Sequence, residues 1–389
     1  MKYYREAIDL LKKASTPNGF LASVQNTGNY QRVWARDGVI CGLAALASHD
    51  EDLIITFKNT LDTLAAHQHV IGTIPSNVLV TNTGSDVSYG GLAGRVDAVT
   101  WFIIGVCNYA ILKDDTAFFL KHKKAIEKCF TLLDAWEFNN KHLVYVPLSG
   151  NWADEYVTNG YVLYDQLLRI WALKGYYYFE NDKSTKQKIE AITEQVEANF
   201  FPNSRKDKFH EKAYDKVSIG EYLPCSFSPS GYKTFFDSFA HSLLIMLDIG
   251  DEALQNAVLA YADNLKKESA LNLLPAFWPP IFDGDEHWGL LKDNCKYEFR
   301  NYPYEFHNGG SWPMVNGFYA LALMKKNKPE KAMNILEHIN AANALEGFSF
   351  YENFNSKTGA PNGVAYCAWS AAATILAHEA LYDKFKFFI

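Results

Sequence analysis

The connections between the helical segments of this chain alternate between short and long, and this alternation constrains the fold most. Short charged turns occur at 48–52, 113–116, 180–184, 248–252 and 325–329. Longer segments rich in glycine, proline and aromatic residues lie near 17–36, 69–93, 139–159, 201–232, 266–309 and 343–361. Apolar residues recur at helical spacing between these connections, so the sequence predicts about twelve helices in six hairpins.

Six helical hairpins that close into a ring place every short turn on one face and every long loop on the other. The predicted fold is therefore all-α, an (α/α)6 toroid or barrel. Its functional site is expected on the long-loop face, because loops on a rigid scaffold usually carry binding and catalysis. An open α-solenoid is the alternative, but the segments lack the self-similarity of repeats. No linker divides the sequence, so we expect one domain over residues 1–389.

Charge and hydropathy narrow the class of protein. The net charge is −7, and no Lys/Arg cluster resembles a nucleic-acid footprint. No apolar run reaches the length of a membrane span, and charges interrupt the N-terminal segment where a signal peptide would be apolar. The six cysteines form no CxxC pair. We expect a cytoplasmic protein without nucleic-acid or membrane partners, with homo-oligomerisation left open.

The first two long segments end in charged residues beside aromatic ones. Arg36 and Asp37 are neighbours, and together they can donate to and accept from vicinal sugar hydroxyls. Trp34 can pack against the face of a pyranose ring. The alternative is a buried ion pair in which Asp37 caps the helix. Asp97 is either a ligand-binding carboxylate or a first-turn acid favoured by the helix dipole.

The third and sixth long segments each contain a carboxyl group among aromatic residues. Asp154 follows Trp152 and precedes Tyr156, with Glu155 as a rival for its role. Aromatic surroundings are how an enzyme raises the pKa of a general acid. Glu352 lies in the sixth segment, which faces the third across a closed barrel. Two opposed carboxyls with room for a water between them match an inverting glycosidase, as one pairing among several.

The fifth long segment contains two further features. His307 and Asn308 precede a Gly-Gly step and Trp312, which indicates polar groups presented by a tight turn. The acidic cluster at 283–287 is a candidate metal site, but it lacks the ligand spacing of an EF-hand. We therefore predict no metal and no other cofactor.

Two of these motifs resemble a known family of barrel glycosidases. The segment 304–313, with its core His-Asn-Gly-Gly-Ser-Trp-Pro, resembles the corresponding segment of the neutral/alkaline invertases. The segment 94–97, followed by Trp101, is similar to the stretch before the catalytic loop of the same family.

Three more motifs resemble glycogen-debranching α-1,6-glucosidases. The segment 33–38 is similar to their Trp-x-Arg-Asp segment, and 151–154 resembles their loop carrying the general acid. The segment 351–353, followed by Thr358 and Gly359, resembles the loop carrying the general base in both groups. All five motifs keep the same order along nearly the whole chain.

The resemblance implies an (α/α)6 barrel and hydrolysis with inversion, with Asp154 as general acid and Glu352 as general base. It also implies that Arg36, Asp37, His307 and Asn308 hold a sugar. Invertases have Asp-Arg-Arg where this chain has Asp154 followed by Glu and Tyr, which argues against sucrose. We expect an exo-acting hydrolase that releases terminal glucose from a small α-glucoside or oligosaccharide, with a sucrose hydrolase as the alternative. The remaining candidate substrate-binding residues are Trp34, Asp97, Trp152, Tyr156 and Trp312.

Two other functions stay open at this point. A sugar epimerase or isomerase on the same barrel would use His241 and His307 as its acid/base pair. A non-catalytic glycan-binding barrel would bind sugar without turnover.

Overall fold

A computed structural model of the chain describes residues 2–202 and 207–389 as a double ring of helices. The α-helices of these residues are α1 (Lys2–Ala14), α2 (Ala35–Ser48), α3 (Glu51–Ala66), α4 (Val96–Leu112), α5 (Thr116–Ala135), α6 (Leu163–Glu180), α7 (Lys183–Phe200), α8 (Glu211–Tyr214), α9 (Ser238–Met246), α10 (Glu252–Leu265), α11 (Trp288–Asn294), α12 (Pro313–Lys325), α13 (Pro329–Asn343), α14 (Leu345–Phe348) and α15 (Ala368–Tyr382).

Short antiparallel strands lie in the loops. They are β1 (Ser15–Thr16), β2 (Gly19–Phe20), β3 (Val33–Trp34), β4 (Asn77–Thr81), β5 (Gly84–Ser88), β6 (Tyr145–Val146), β7 (Gly160–Val162), β8 (Ser226–Ser228), β9 (Gly231–Lys233), β10 (Phe236–Asp237), β11 (Phe277–Trp278), β12 (Asn353–Phe354) and β13 (Pro361–Asn362). Sheets β3-β4-β5 and β6-β7-β8-β9 join different long loops, and β1-β2, β10-β11 and β12-β13 are pairs. Because β7 pairs with β8 through Tyr161 and Phe227, the third and fourth loops are tied together.

The inner ring consists of α2, α4, α6, α9, α12 and α15, and each packs against its neighbours. The ring closes because α15 packs against α2, which excludes an open solenoid. Helix α2 is buried from Ala35 to Ala47, as expected for a helix that is apolar all round. The outer helices α1, α3, α5, α7, α10 and α13 bury one stripe each. None of the helices within 2–202 and 207–389 is long and apolar enough to cross a membrane.

The charged residues of the short turns have a structural role. An aspartate at the end of four of them caps the next outer helix, accepting a hydrogen bond from a backbone N–H. These N-caps are Asp50, Asp115, Asp182 and Asp251. The fifth turn starts its helix with Pro329, whose missing N–H is harmless at that position. All five turns lie at the C-terminal ends of inner helices, so the long loops share the opposite face, and the predicted (α/α)6 toroid is confirmed.

Candidate active site

Acidic residues mark the N-terminal ends of the inner helices, where the long loops meet. Asp37 lies in the first turn of α2, Asp97 in that of α4 and Asp165 in that of α6. Asp237 caps α9 and accepts from two backbone N–H groups at 3.0 Å each. All four are buried. Because a helix N-terminus favours negative charge, the ring can hold these carboxyl groups on the floor of the long-loop face.

Asp97 holds Arg36 in place. Its Oδ2 lies 2.7 Å from Nη1 of Arg36 and accepts from the Tyr164 hydroxyl at 3.2 Å. Trp101 in turn donates to that hydroxyl at 2.8 Å. Asp97 has no exposed surface and Arg36 is 8% exposed, so the carboxylate belongs to the wall and the guanidinium lies nearer the site.

Asp37 lies within electrostatic range of both predicted catalytic groups. Its charge interacts with that of Asp154 and also with that of Glu352. Burial raises the pKa of Asp37 to about 6, although Arg36 opposes the rise. The carboxyl groups of the third and sixth loops are thus both within electrostatic range of one buried carboxyl group at the N-terminal end of an inner helix.

Two side chains from neighbouring segments fix the third loop around Asp154. Arg95 donates from Nη2 to Oδ2 of Asp154 at 2.8 Å and also to the carbonyl of Ser149. Asn151 donates to the Asp165 carboxylate at 2.9 Å. The Asp154 side chain remains 26% exposed, so one side of it is open to solvent.

Glu352 occupies a deeper position than Asp154. It is 4% exposed, and its Oε1 accepts from the Tyr30 hydroxyl at 2.8 Å. Burial raises the pKa of Glu352 to about 7, while the Tyr30 hydrogen bond and the charge of Arg300 pull it down. A pKa raised to about 7 suits a general base, although burial raises the pKa of the helix-capping Asp237 to about 7 as well.

The fifth loop contributes a neutral histidine held by packing. His307 stacks on Trp312 with ring centres 5.1 Å apart, and burial keeps the pKa of His307 well below its usual value. The Asn308 side chain bonds the backbone of Ile281 in both directions and the carbonyl of Asn301. Asn308 therefore shapes the loop, and Nδ1 of His307 is buried without a hydrogen-bond partner among the described residues.

The predicted aromatic residues lie at two depths. Trp152 and Tyr156 are buried and both stack on Phe277, at 5.8 and 4.3 Å between ring centres. Trp34 is only partly buried, and its indole N–H donates to the carbonyl of Asn29 at 3.0 Å. The structure thus gives Trp152 and Tyr156 a supporting position and leaves Trp34 nearer solvent.

Three side chains that contact the acidic residues of the site are absent from the predicted site residues. Tyr30 contacts Glu352, Arg95 contacts Asp154, and Arg300 contacts Glu155. Tyr30 lies 322 residues from its partner in the sequence, and Arg300 lies 145 residues from Glu155, to which its Nε donates at 3.2 Å. No local pattern marks either one. Arg95 lay inside the 94–97 motif and could have been chosen together with Asp97.

His241 is held entirely by backbone groups. Its Nδ1 lies 2.7 Å from the carbonyl of Asp237 and therefore donates, and its Nε2 accepts from the N–H of Leu223 at 3.0 Å. Burial lowers the pKa of His241 to about 4. Both ring nitrogens are occupied, so neither is available for proton transfer.

A metal site and a surface groove are the two further kinds of ligand site to compare with the long-loop face. Within residues 2–202 and 207–389, no three His, Cys, Asp or Glu side chains are grouped to hold a metal. A groove of about 820 Å³ lies beside the short turn between α9 and α10, lined among others by Ile170, Lys174 and Leu254. None of the predicted site residues lines this groove. The buried carboxyl groups instead favour the long-loop face as the candidate site.

Sequence comparison now supplies the family. A family model described as alkaline and neutral invertase matches residues 173–384, which is more than half of the chain. The chain belongs to the alkaline and neutral invertase family. The matched region includes Glu352, His307 and Trp312, whereas Asp154 lies outside it. The predicted resemblance to the neutral/alkaline invertases is thus confirmed.

Curated relatives match the chain over part of their length. Neutral/alkaline invertase 3, chloroplastic, of Oryza sativa subsp. japonica is 24% identical over 199 residues, covering 46% of this chain and 32% of that protein. Alkaline/neutral invertase E, chloroplastic, of Arabidopsis thaliana is 21% identical over 159 residues, covering 41% of this chain and 25% of that protein. The matched region therefore spans a third or less of these relatives.

Solved structures share the fold over almost the whole chain. The GH63 mannosylglycerate hydrolase from Thermus thermophilus has a TM-score of 0.69 at 14% identity, covering 96% of this chain and 99% of that one. A bacterial glucoamylase complexed with acarbose has a TM-score of 0.66 at 15% identity, covering 98% of this chain and 56% of that one. At this identity the likeness establishes the (α/α)6 fold and leaves the substrate to other arguments.

Proposed function

We propose that the protein hydrolyses a small α-glucoside with inversion, releasing a terminal glucosyl unit, with Asp154 as general acid and Glu352 as general base. One observation carries the proposal. Carboxyl groups from the third and sixth loops both lie within electrostatic range of Asp37 on the long-loop face, and each is held by a single side chain from a different segment. Two opposed carboxyls are the machinery of glycoside hydrolysis.

The difference in exposure supports the division of roles. Asp154 is partly exposed, and a general acid has to reach the glycosidic oxygen of a leaving group that departs toward solvent. Arg95 occupies one of its oxygens, so Oδ1 is the atom that can deliver the proton. Glu352 is buried, with Oε1 bonded to Tyr30 and Oε2 without a partner among the described residues. Oε2 is therefore the atom that would accept a proton from the attacking water.

We infer that the site on the long-loop face is closed at one end, where buried polar atoms without partners suit a sugar ligand. Among the described residues these include Nε of Arg36 and Nδ1 of His307. An unmade buried hydrogen bond costs about 1–3 kcal/mol, so such groups are expected where a polar ligand completes them. A closed end lined in this way suits one sugar ring at a chain terminus, which favours exo action.

The alternatives fit the site less well. His241 cannot act in the acid/base pair of an epimerase, because both of its ring nitrogens bond backbone groups. A sucrose hydrolase remains the second candidate because of the family membership, and its substrate would occupy the same site. A binding module differs from a hydrolase in showing no turnover on any glucoside.

Proton NMR of the first-formed product tests the proposal. We expect initial β-glucose from an α-linked substrate such as isomaltose, maltose or sucrose. Initial α-glucose, or a trapped glycosyl-enzyme, would contradict inversion. Cleavage in the middle of a long glucan would contradict the closed end, and an absence of turnover on every α-glucoside would reject the hydrolase itself.

A further inference from the structure

The Glu155–Arg300 pair stands beside the proposed general acid and has no role in the mechanism above. Arg300 donates to the two carboxylate oxygens of Glu155 from Nε, at 3.2 Å, and from Nη2. This is the fork geometry in which an arginine binds a carboxylate with defined orientation. Glu155 directly follows Asp154, so the pair lies on the side of the site that contains the acid.

The pair is held more firmly than an ordinary surface ion pair. The guanidinium lies over the Phe306 ring, 4.2 Å from its centre. The next residue, Asn301, is buried, donates to the carbonyl of Glu155 at 3.0 Å and accepts from the N–H of His307 at 3.0 Å. The third and fifth loops are thus locked together at this point.

Arg300 also reaches toward the opposite loop. Its charge lowers the pKa of Glu352 and that of Tyr30, so it lies within electrostatic range of both. Its side chain is 49% exposed, whereas that of Glu155 is 11% exposed. The Arg300 side chain is therefore bonded to the third loop, within electrostatic range of Glu352 in the sixth, and about half of its surface is open to solvent.

We propose that Glu155 and Arg300 form the binding site for the leaving group, and that this group is a neutral polyol or sugar. A carboxylate accepts from one hydroxyl and a guanidinium donates to the next, so the pair suits a vicinal diol. Glu155 compensates the charge of Arg300, which disfavours a leaving group with a carboxylate or phosphate. The inference rests on the proposed function, because it uses Asp154 to locate the leaving group.

The test compares leaving groups that do or do not fill the site. Isomaltose and glucosylglycerol fill it, whereas α-glucosyl fluoride has a leaving group too small to touch it. Arg300→Lys keeps the charge near Glu352 but loses the fork. We expect it to lower kcat/KM for the two larger substrates about tenfold to a hundredfold more than for the fluoride, the range of a charge-assisted hydrogen bond.

Glu155→Gln provides a second and opposite readout. It leaves Arg300 uncompensated, so kcat/KM for glucosylglycerate should rise relative to glucosylglycerol by about tenfold. Equal effects of both variants on all substrates would overturn the leaving-group site. Failure of the wild type on the fluoride and on every glucoside would instead reject the proposed function.

A matched control is the Lys123–Glu180 ion pair, 2.7 Å between Nζ and Oε2, at the short-turn face. Glu180→Gln should leave every substrate ratio unchanged. A change there as large as that of Arg300→Lys would also overturn the proposal, because the discrimination would then not depend on the site.

Discussion

The short-turn face and the long-loop face of the toroid are built by different rules. On the short-turn face, the backbone turns left-handed in each of the five turns, and the residue is always polar. These residues are His49, Asp114, Asn181, Asp248 and Asn327. Short polar side chains tolerate this conformation, and it is a common way to end a helix. The face is assembled from locally favourable parts.

On the long-loop face the same conformation occurs at polar residues such as Asn140, Ser149 and Asn272, and also at large aromatic residues of the fifth and sixth loops. The aromatic residues are Tyr304, Phe306, Phe348, Phe350 and Tyr366. Such residues are strained there by about 1–3 kcal/mol each. The same face buries Asp37 and Glu352, whose pKa values are raised. The short-turn face therefore stabilises the fold. The long-loop face keeps strained backbone and buried carboxyl groups, which cost stability and serve the chemistry.

The largest expected effect is on turnover at the long-loop face. Asp154→Asn and Glu352→Gln should each lower kcat by about 10²–10⁴-fold, the usual worth of general acid–base assistance. They should differ on α-glucosyl fluoride, because fluoride leaves without a proton. There Asp154→Asn should regain most of its lost rate and Glu352→Gln should not. Steady-state rates on isomaltose and the fluoride measure this.

The rival acidic residues decide whether the assignment holds. If Glu352→Gln keeps near-normal activity while Glu305→Gln abolishes it, the base is wrongly assigned. If Glu155→Gln loses all activity on isomaltose and regains it on the fluoride, Glu155 is the acid instead of Asp154.

The next largest effect is on stability. Here Glu352→Gln, which lowers turnover, is expected to raise the free energy of unfolding at high pH. Burial raises the pKa of Glu352 from 4.5 to about 7, so the folded state holds its proton more tightly than the unfolded state. The wild type therefore loses stability as the pH rises from about 4.5 to 7, by up to about 3 kcal/mol. Glu352→Gln has no proton to lose. It should be more stable than the wild type at pH 8 and equal to it near pH 4.

Thermal or urea unfolding at both pH values measures this difference. Asp154→Asn is the matched control, since its partly exposed ion pair with Arg95 contributes at most about 1 kcal/mol. A Glu352→Gln variant that is less stable than the wild type at pH 8 would mean that the carboxylate is well accommodated. The long-loop face would then not be the unfavourable one.

The comparison of faces also explains what the sequence could predict. The ring, its hairpins and its short turns follow from helical periodicity and from polar turn residues. Rules of this kind act within a few residues. Glu352 and Asp154 were proposed because they stand among aromatic residues on opposed loops, which left them as one pairing among several, and because the resemblance to barrel glycosidases singled them out.

The supporting contacts could not be predicted in the same way. Tyr30 binds Glu352 and Arg300 binds Glu155 only because the ring closes, and no spacing in the sequence encodes either pair. The sequence also did not show which of the candidate residues would be buried. Asp97 was a candidate ligand, but the structure surrounds it with Arg36 and Tyr164 inside the wall. Local composition indicates polar chemistry without distinguishing a ligand-binding residue from its support.

The smallest expected effect tests the short-turn face. Asp182 caps α7, its carboxylate accepting from the N–H of Thr185 at 2.9 Å and from the Ser184 hydroxyl at 2.5 Å, and these bonds lower its pKa to about 2. Asp182→Ala should therefore destabilise the fold by about 1 kcal/mol at pH 7. A group whose pKa is lowered stabilises above its unfolded pKa, so the difference should shrink as the pH falls from about 4 toward 2.

Activity is the second readout for this variant. Asp182→Ala should leave kcat and KM on isomaltose unchanged at 25 °C, because the cap lies at the opposite end of α6 from the carboxyl groups. Asp182→Asn keeps an acceptor for the Thr185 N–H and should recover most of the stability. If Asp182→Ala reduced turnover while the protein remained folded, the two faces would be coupled, and the division between a stabilising face and a chemical face would fail.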